Sequence, residues 1–145
     1  MFGIEETLST AEAKLINPIV LAFVGDAVYS LYVRKRMAAC YKGKPSDFQR
    51  TAGRVVSAHG QSVFLEKLLP LFTEEEKEIF LRARNAKKGA KSKNADGGEY
   101  NRSTGFEAVL GFLSLSGQTA RLDELLAHAP EEFFTPTAQA KVYKP

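Results

Sequence analysis

Apolar residues recur along the chain at the three- to four-residue spacing of α-helices. From Ile19 to Met37 the apolar residues fall on nearly every side of a helix, which is typical of a central helix covered by its neighbours. A second such segment starts at Phe106 and ends near Gly117. The sequence contains neither a convincing alternating strand pattern nor an internal repeat. We therefore predict an all-α domain built as a helical bundle.

Capping signals divide this pattern into separate helices. Ser9-x-x-Glu12 and Thr73-x-x-Glu76 fit capping boxes, in which a hydroxyl and a carboxylate each accept a hydrogen bond from a backbone amide that the first helical turn leaves unpaired. Pro18 suits the first turn of the central helix, where its missing N–H costs nothing. These signals predict three helix starts.

The rest of the chain adds two helices, a loop and a tail. A helix begins at Pro45 and is broken or rejoined near Gly60. The segment from Gly89 to Gly98 carries the glycine and asparagine of a loop. A last amphipathic helix completes the domain. We place the domain at residues 1–130 and a loosely ordered tail at residues 131–145.

Composition narrows the class of protein. The chain has 145 residues, of which 44% are hydrophobic and 26% are charged; these are values of a globular domain, not of a disordered or fibrous chain. Cys40 is the only cysteine, which excludes an intrachain disulfide, and no Cys/His spacing fits a structural zinc site. The first ten residues lack the apolar run of a signal peptide. We expect a cytoplasmic protein with no membrane partner.

The net charge is only +3, but the chain contains one strongly basic segment. Between Arg82 and Arg102 lie seven basic and two acidic residues. A lysine-rich run is most often a solvated loop. In this one, glycine, asparagine and serine stand between the cations, so that backbone amides could also approach phosphates. The segment is therefore a candidate phosphate-binding loop.

Two carboxylates stand alone in nearly uncharged stretches. Asp26 is the only charged residue between Leu15 and Val33, and Glu107 is the only one between Ser103 and Ala120. A carboxylate on an apolar helix needs a partner, because burying its charge unpaired costs several kcal/mol. Two such groups side by side repel each other unless a divalent cation lies between them or one keeps its proton. A shared Mg²⁺ or Mn²⁺ suits their hard oxygen atoms.

Structural interpretations of the same residues stay open at this stage. Asp26 follows Gly25 and could cap a broken helix. Thr104-x-x-Glu107 fits a capping box, in which Glu107 binds a backbone amide and no metal.

Several separated motifs resemble one enzyme family. The segment from Leu21 to Tyr29, LAFVGDAVY, resembles the signature helix of the ribonuclease III endonuclease domain, and the segment from Phe106 to Gly111, FEAVLG, resembles its second acidic motif. The chain is most similar to the short form of that family, Mini-ribonuclease III. Its further hallmarks here are Arg84-Asn85-Ala86-Lys87 with Gly89, Lys93-Asn94, Ser103-Thr104, Val55-Val56-Ser57-Ala58 and Phe72-Thr73-Glu74-Glu75-Glu76.

The resemblance runs from about Pro18 to Leu126 and implies a fold and an activity. It implies a homodimeric all-α endonuclease that cuts both strands of double-stranded RNA with Mg²⁺, for which Mn²⁺ is a substitute. For the short form it implies maturation of the 23S ribosomal RNA precursor at a base-paired stalk, where a ribosomal protein is a further candidate partner. Full-length ribonuclease III carries a separate double-stranded-RNA-binding domain, for which 145 residues leave no room.

The same resemblance assigns roles to individual residues. Asp26 matches the catalytic aspartate of the first motif, and Glu107 matches the metal-binding glutamate of the second. Two acidic residues of full-length ribonuclease III are replaced by Ala22 and Thr104. These replacements fit the short subfamily, but they reduce the number of acidic side chains that can bind the metal. Waters and RNA phosphate oxygens would complete its coordination.

The remaining assignments concern RNA and the dimer. The predicted phosphate contacts are Arg84, Asn85, Lys87, Lys88, Lys91, Lys93 and Arg102. The dimer-face candidates are Phe23 and Tyr29, for which core packing is the alternative. Two other functions stay open: a non-catalytic RNA-binding or ribosome-assembly module, which the two acid replacements favour, and a helical interaction domain whose two carboxylates are structural.

Overall fold

The computed structural model describes residues 8–87 and 97–134, and these residues are all-α as predicted. They form seven α-helices and two short 3₁₀ turns, and no strand occurs in either range. The helices are α1 (Thr10–Lys14), α2 (Pro18–Cys40), α3 (Pro45–Val56), α4 (Ala58–Leu68), α5 (Glu74–Asn85), α6 (Gly97–Leu115) and α7 (Thr119–Leu126), and the 3₁₀ turns are Leu69–Leu71 and Glu131–Phe134.

Helices α2 and α6 form the centre of the bundle. Helix α6 packs against α2 along much of its length and also against α4 and α5, while α3 packs against α2 and α4. Ten residues of α6 are buried, from Ser103 to Leu113, which confirms the apolar pattern as a core signal. Neither central helix is long and apolar enough to span a membrane, and the same holds for the other helices in the described ranges.

The two central helices cross with their backbones in contact. A Cβ atom added to Gly25 would overlap the carbonyl oxygen of Glu107 and lie 2.9 Å from the backbone nitrogen of Gly111. A Cβ atom added to Gly111 would likewise overlap the carbonyl oxygen of Leu21. Only glycine leaves room for so close an approach. This crossing sets Asp26 of α2 beside Glu107 of α6.

The predicted helix starts are present at their capping residues. The Ser9 hydroxyl accepts from the Glu12 N–H at 3.1 Å, and the Glu12 carboxylate accepts from the Ser9 N–H at 3.0 Å. Thr73 and Glu76 form the same reciprocal pair at 3.1 and 2.9 Å. The Asn17 side chain caps α2, whose first turn contains proline as predicted.

Two predicted boundaries are wrong. Helix α6 begins at Gly97, nine residues before Phe106. Inside this helix, the Ser103 and Thr104 hydroxyls each donate to the carbonyl oxygen of Tyr100. The last two residues of the predicted loop at residues 89–98 therefore belong to α6. The other residues of that loop lie outside the described residues. The break between α3 and α4 falls at Ser57, not at the glycine three residues later.

A buried ion pair fastens α5 to α7. Glu76 is 2% exposed, and its two carboxylate oxygens accept from Nε and Nη2 of Arg121 at 2.9 and 2.8 Å. Burial raises the pKa of Glu76, but the hydrogen bonds from Arg121 and Thr73 outweigh burial and hold it below its usual range. The bidentate geometry makes this pair both specific and strong.

The folded body continues through the last 3₁₀ turn. Phe134 is fully buried, and the guanidinium of Arg36 lies 4.1 Å from the centre of its ring. Arg54 of α3 donates to the carbonyl oxygen of Phe133 at 3.3 Å. Residues 131–134 therefore belong to the packed domain and not to the tail, while residues 135–145 lie outside the described residues.

Candidate active site

A surface cleft opens where α2, α6 and the end of α5 meet. Its volume is about 390 Å³. Helix α2 supplies Ile19, Ala22, Phe23 and Asp26, helix α6 supplies Tyr100, Thr104 and Glu107, and Lys87 stands just after α5. The cleft thus combines an apolar wall, two carboxylates and one ammonium group.

The two lone carboxylates of the sequence meet in this cleft. Asp26 is exposed, Glu107 is half-buried, and both side chains line the cleft. Burial raises the pKa of Glu107 to about 8; the hydrogen bond and the negative charge of Asp26 add to this rise, and a hydrogen bond from Gln61 opposes it. At neutral pH the pair therefore retains a proton in the absence of a cation.

Both structural interpretations of the carboxylates are wrong. Helix α2 runs unbroken through Gly25, so Asp26 caps no helix end. Thr104 lies well inside α6 and donates its hydroxyl to the carbonyl oxygen of Tyr100 at 3.0 Å. It is thus not the N-cap of a capping box with Glu107.

The residues of the cleft fit a hard divalent cation. Within the described ranges no group of three or more His, Cys, Asp and Glu side chains could hold a metal; the carboxylates that line the cleft and could bind a cation are Asp26 and Glu107. Ala22 and Thr104, which stand where full-length ribonuclease III has acids, both line the cleft. Their small side chains leave room for the several waters that Mg²⁺ keeps. Burial, with the negative charge of Asp26 beside it, raises the pKa of Glu107 and so disfavours its charged form without a cation.

The predicted RNA-binding residues have different surroundings in the structure. Lys87 stands at the cleft. Nε of Arg84 donates to the Asn85 side chain at 3.2 Å, and its guanidinium lies 5.8 Å from the ring centre of Phe80. Arg102 donates to Ser62 at 3.0 Å and forms an ion pair with a glutamate of α4. Lys88, Lys91 and Lys93 lie outside the described residues.

The two dimer-face candidates have opposite environments. The Phe23 side chain is 79% exposed beside Asp26. Tyr29 is fully buried; its ring meets that of Phe106 edge-on at 5.0 Å and lies 6.1 Å from that of Phe64. Tyr29 therefore belongs to the hydrophobic core, which is the alternative role predicted for it, and it is not exposed to a dimer partner.

Three features of the molecule were missed at the level of sequence. Residues 34–54 contain seven basic residues and one acidic residue, so the segment at residues 82–102 is not the only basic one. Tyr100 lines the cleft. Gln61 is 3% exposed, and it lowers the pKa of Glu107. A lone amide in the apolar α4 pattern is the sequence signal that marks Gln61.

Comparison with known proteins shows the family of the chain. The sequence profile described as Ribonuclease III domain matches residues 19–118, which include Asp26, Glu107 and the whole cleft. The chain belongs to the ribonuclease III family. It is 44% identical over 120 residues to Mini-ribonuclease 3 of Brevibacillus brevis, covering 83% of this chain and 90% of that protein. Like other members of the family, it is an endoribonuclease of double-stranded RNA.

Other relatives place the chain in the short branch of the family. Mini-ribonuclease 3 of Staphylococcus aureus is 44% identical over 115 residues, covering 78% of this chain and 86% of that protein. Mini-ribonuclease 3 of Synechocystis is 40% identical over 129 residues, covering 85% and 86%. A crystal structure of a Fusobacterium nucleatum protein superposes with a TM-score of 0.69 at 26% identity, covering 78% of this chain and 90% of that one. It confirms the fold.

Proposed function

We propose that the chain is a Mg²⁺-dependent endonuclease that matures the 23S ribosomal RNA precursor at a base-paired stalk. Asp26 and Glu107 are its catalytic, metal-binding residues. The observation that supports this proposal is that Asp26 and Glu107 line one open cleft together with Lys87. The precursor as substrate rests on the similarity to Mini-ribonuclease 3 proteins.

Each carboxylate has a distinct part in this proposal. Asp26, which is exposed, would hold the ion as a carboxylate. Glu107, which is half-buried, would hold it only after releasing its retained proton to the solvent. When bound, Mg²⁺ supplies an activated water and stabilises the charge that develops on the leaving oxygen.

The RNA backbone would lie along the open side of the cleft. Lys87 lines the cleft and would bind a phosphate of the RNA there. Lys88, Lys91 and Lys93 extend the same basic segment in sequence. Duplex RNA is recognised by its shape, phosphates and 2′-hydroxyls, so cations without a base-reading helix are adequate. Arg102 can join only by exchanging its ion pair with Glu66 for a phosphate.

An exposed apolar stripe on α2 supports the dimer. Val20 is 49% exposed, Phe23 79% and Leu31 47%, and their spacing places them on one helix face. A cavity of about 470 Å³ opens toward the other end of α2, with Met37, Phe48 and Ala52 in its lining. A two-fold axis between these features would set the Phe23 of each chain against the partner's cavity. We propose this face as the dimer interface, which provides one active site for each RNA strand.

One experiment tests the proposed function. A base-paired stalk of the 23S precursor and an unrelated duplex of equal length are incubated with the protein, with Mg²⁺ and with chelator. We expect Mg²⁺-dependent cleavage of the stalk at defined positions and loss of cleavage in Asp26→Asn. Asp123→Asn, which changes an exposed carboxylate on α7, should cleave like the wild type.

Two other results of the same experiment would contradict parts of this proposal. Binding of the stalk without cleavage would favour the RNA-binding module. Equal cleavage of both duplexes would overturn the assignment to the 23S precursor but not the nuclease.

A further inference from the structure

Tyr100 stands on the same side of α6 as Glu107. Tyr100, Thr104 and Glu107 follow one another at intervals of four and three residues, which places them on one face of a helix, and all three line the cleft. The seven residues from the tyrosine to the glutamate span about 10 Å along the helix axis. In the proposed active site, Tyr100 therefore lies beside the cleaved bond and not at it.

Polar contacts to α4 hold the turn of α6 that carries Tyr100. Before it in sequence, a carboxylate oxygen of Glu99 lies 2.6 Å from Nδ1 of His59. After it, Nε of Arg102 donates to the Ser62 hydroxyl at 3.0 Å. Tyr100 thus lies between two contacts that join α6 to α4. A side chain carried on such an anchored helix is positioned more precisely than one on a loop.

Two of the described residues that line the cleft carry a hydroxyl group, Tyr100 and Thr104. Thr104 is 6% exposed, and its hydroxyl donates to the carbonyl oxygen of Tyr100 at 3.0 Å. Tyr100 is 38% exposed. Its phenol is thus the neutral hydroxyl group on an exposed residue of this part of the cleft, which it shares with the two carboxylates and the ammonium group of Lys87.

A neutral hydroxyl group suits the sugar of RNA better than its phosphate. A phenol both donates and accepts hydrogen bonds, and a ribose 2′-hydroxyl does the same. Phosphates form stronger hydrogen bonds with ammonium groups, one of which Lys87 supplies at the cleft. The 2′-hydroxyls lie in the wide, shallow minor groove of duplex RNA, where a side chain reaches them without unpairing a base.

We propose that Tyr100 is a specificity-determining residue, whose hydroxyl group forms a hydrogen bond with the 2′-hydroxyl of a nucleotide beside the cleaved bond. This inference rests on the proposed active site in the cleft. Because a DNA strand lacks the 2′-hydroxyl, the contact lets the cleft distinguish RNA from DNA at that nucleotide.

Single 2′-deoxynucleotides test this contact. The substrates are an RNA duplex that the wild type cleaves and matched duplexes that carry one 2′-deoxynucleotide at each position near the cleaved bond. We expect the substitution at one position to slow single-turnover cleavage by the wild type about 2- to 10-fold, which is the effect of one neutral hydrogen bond. Tyr100→Phe should slow cleavage of the all-RNA duplex by about the same factor. It should also remove the difference between the two duplexes, because both changes delete the same contact.

Tyr32→Phe is the matched control. The Tyr32 hydroxyl donates to the carbonyl oxygen of Leu126 at 3.0 Å, and its ring meets that of Phe134 edge-on. This variant also loses one phenol hydroxyl, but from a residue that does not line the cleft. It should keep the wild-type response to every 2′-deoxynucleotide. Both variants retain the aromatic ring, and thermal unfolding verifies that both are folded.

The outcomes distinguish this inference from the proposed function. If no single 2′-deoxynucleotide slows the wild type, Tyr100 binds no 2′-hydroxyl. The inference is equally overturned if Tyr100→Phe is slow on the all-RNA duplex but keeps every 2′-deoxy effect, because its phenol then contacts a phosphate or only supports the fold. If Asp26→Asn cleaves the all-RNA duplex like the wild type, the proposed active site itself is refuted.

Discussion

Gly25 and Glu107 lie backbone against backbone, so that a Cβ on the glycine would overlap the carbonyl oxygen of the glutamate. The glycine beside Asp26 is thus needed for the approach of the two helices that carry the carboxylates. The position of Asp26 relative to Glu107 therefore depends directly on the contact between Gly25 and the Glu107 backbone.

Gly25→Ala should therefore impair both stability and cleavage. We expect a loss of at least ~1–3 kcal/mol in unfolding free energy, because the inserted methyl group forces two packed backbones apart. Cleavage should fall by about 100-fold, since a shift near 1 Å at reacting groups has that effect. Urea unfolding and single-turnover cleavage measure the two. Gly53→Ala is a control for stability alone, because Gly53 also lines the cavity proposed for the dimer: outside its own helix no atom lies within 4 Å of an added Cβ, and alanine should stabilise α3 by about 0.5–1 kcal/mol.

The proton held by Glu107 predicts how stability depends on pH without metal. Its pKa rises from 4.5 in the unfolded chain to about 8 in the folded protein. Between these values the folded state binds more protons, so the unfolding free energy falls as pH rises. The contribution is fully present below about pH 4.5 and is lost as pH rises through about 8.

Glu107→Gln removes this titration and isolates its effect. Urea unfolding in chelator at several pH values between 5 and 8 should show the wild type losing stability relative to the variant as pH rises. A difference that stays constant across this range would contradict the retained proton.

Removal of basic side chains should lower the salt dependence of RNA binding. In Lys87→Ala, the slope of log affinity against log salt should become shallower by about 0.9, because one fewer counterion is released. The triple change Lys87→Ala, Lys88→Ala and Lys91→Ala should have about three times this effect. Filter binding of a fixed duplex at several salt concentrations measures the slope. Lys67→Ala, an exposed change on α4, should leave it unaltered; an unaltered slope in the triple variant would place the RNA elsewhere.

Charge on the α2 stripe should separate the proposed dimer. Phe23→Asp places a carboxylate in an apolar contact that occurs twice about the two-fold axis, so sedimentation should show monomers at concentrations where the wild type is dimeric. Leu15→Asp is the control, because Leu15 is 85% exposed but lies outside α2. A wild type that is already monomeric, or an equal shift in both variants, would argue against this face.

Local chemistry explains what the sequence predicted well. Capping boxes at Ser9 and Thr73 depend on residues three apart, and both formed as expected. The meeting of Asp26 and Glu107 was inferred from the scarcity of other charges around each. The start of α6 was missed because its first turns are polar and carry two glycines, which have a low helix propensity.

Long-range packing decided the rest. The burial of Tyr29 and the exposure of Phe23 depend on which side of α2 meets α6, and nearly uniform apolarity conceals that side. Likewise, the pairing of Glu76 with Arg121 joins α5 to α7, a relationship between separate helices that no single motif contains.

The backbone contact between α2 and α6 also bears on which ions the site accepts. Carboxylates carried on flexible loops adjust their separation to a larger ion, whereas these two come from helices that meet at Gly25 and Gly111 without intervening side chains. Mg²⁺ binds oxygen atoms at about 2.0–2.1 Å, and Ca²⁺ needs about 2.3–2.6 Å and more ligands. We expect the rigid crossing to select against Ca²⁺ by size, so that Ca²⁺ competes poorly with Mg²⁺ for the pair.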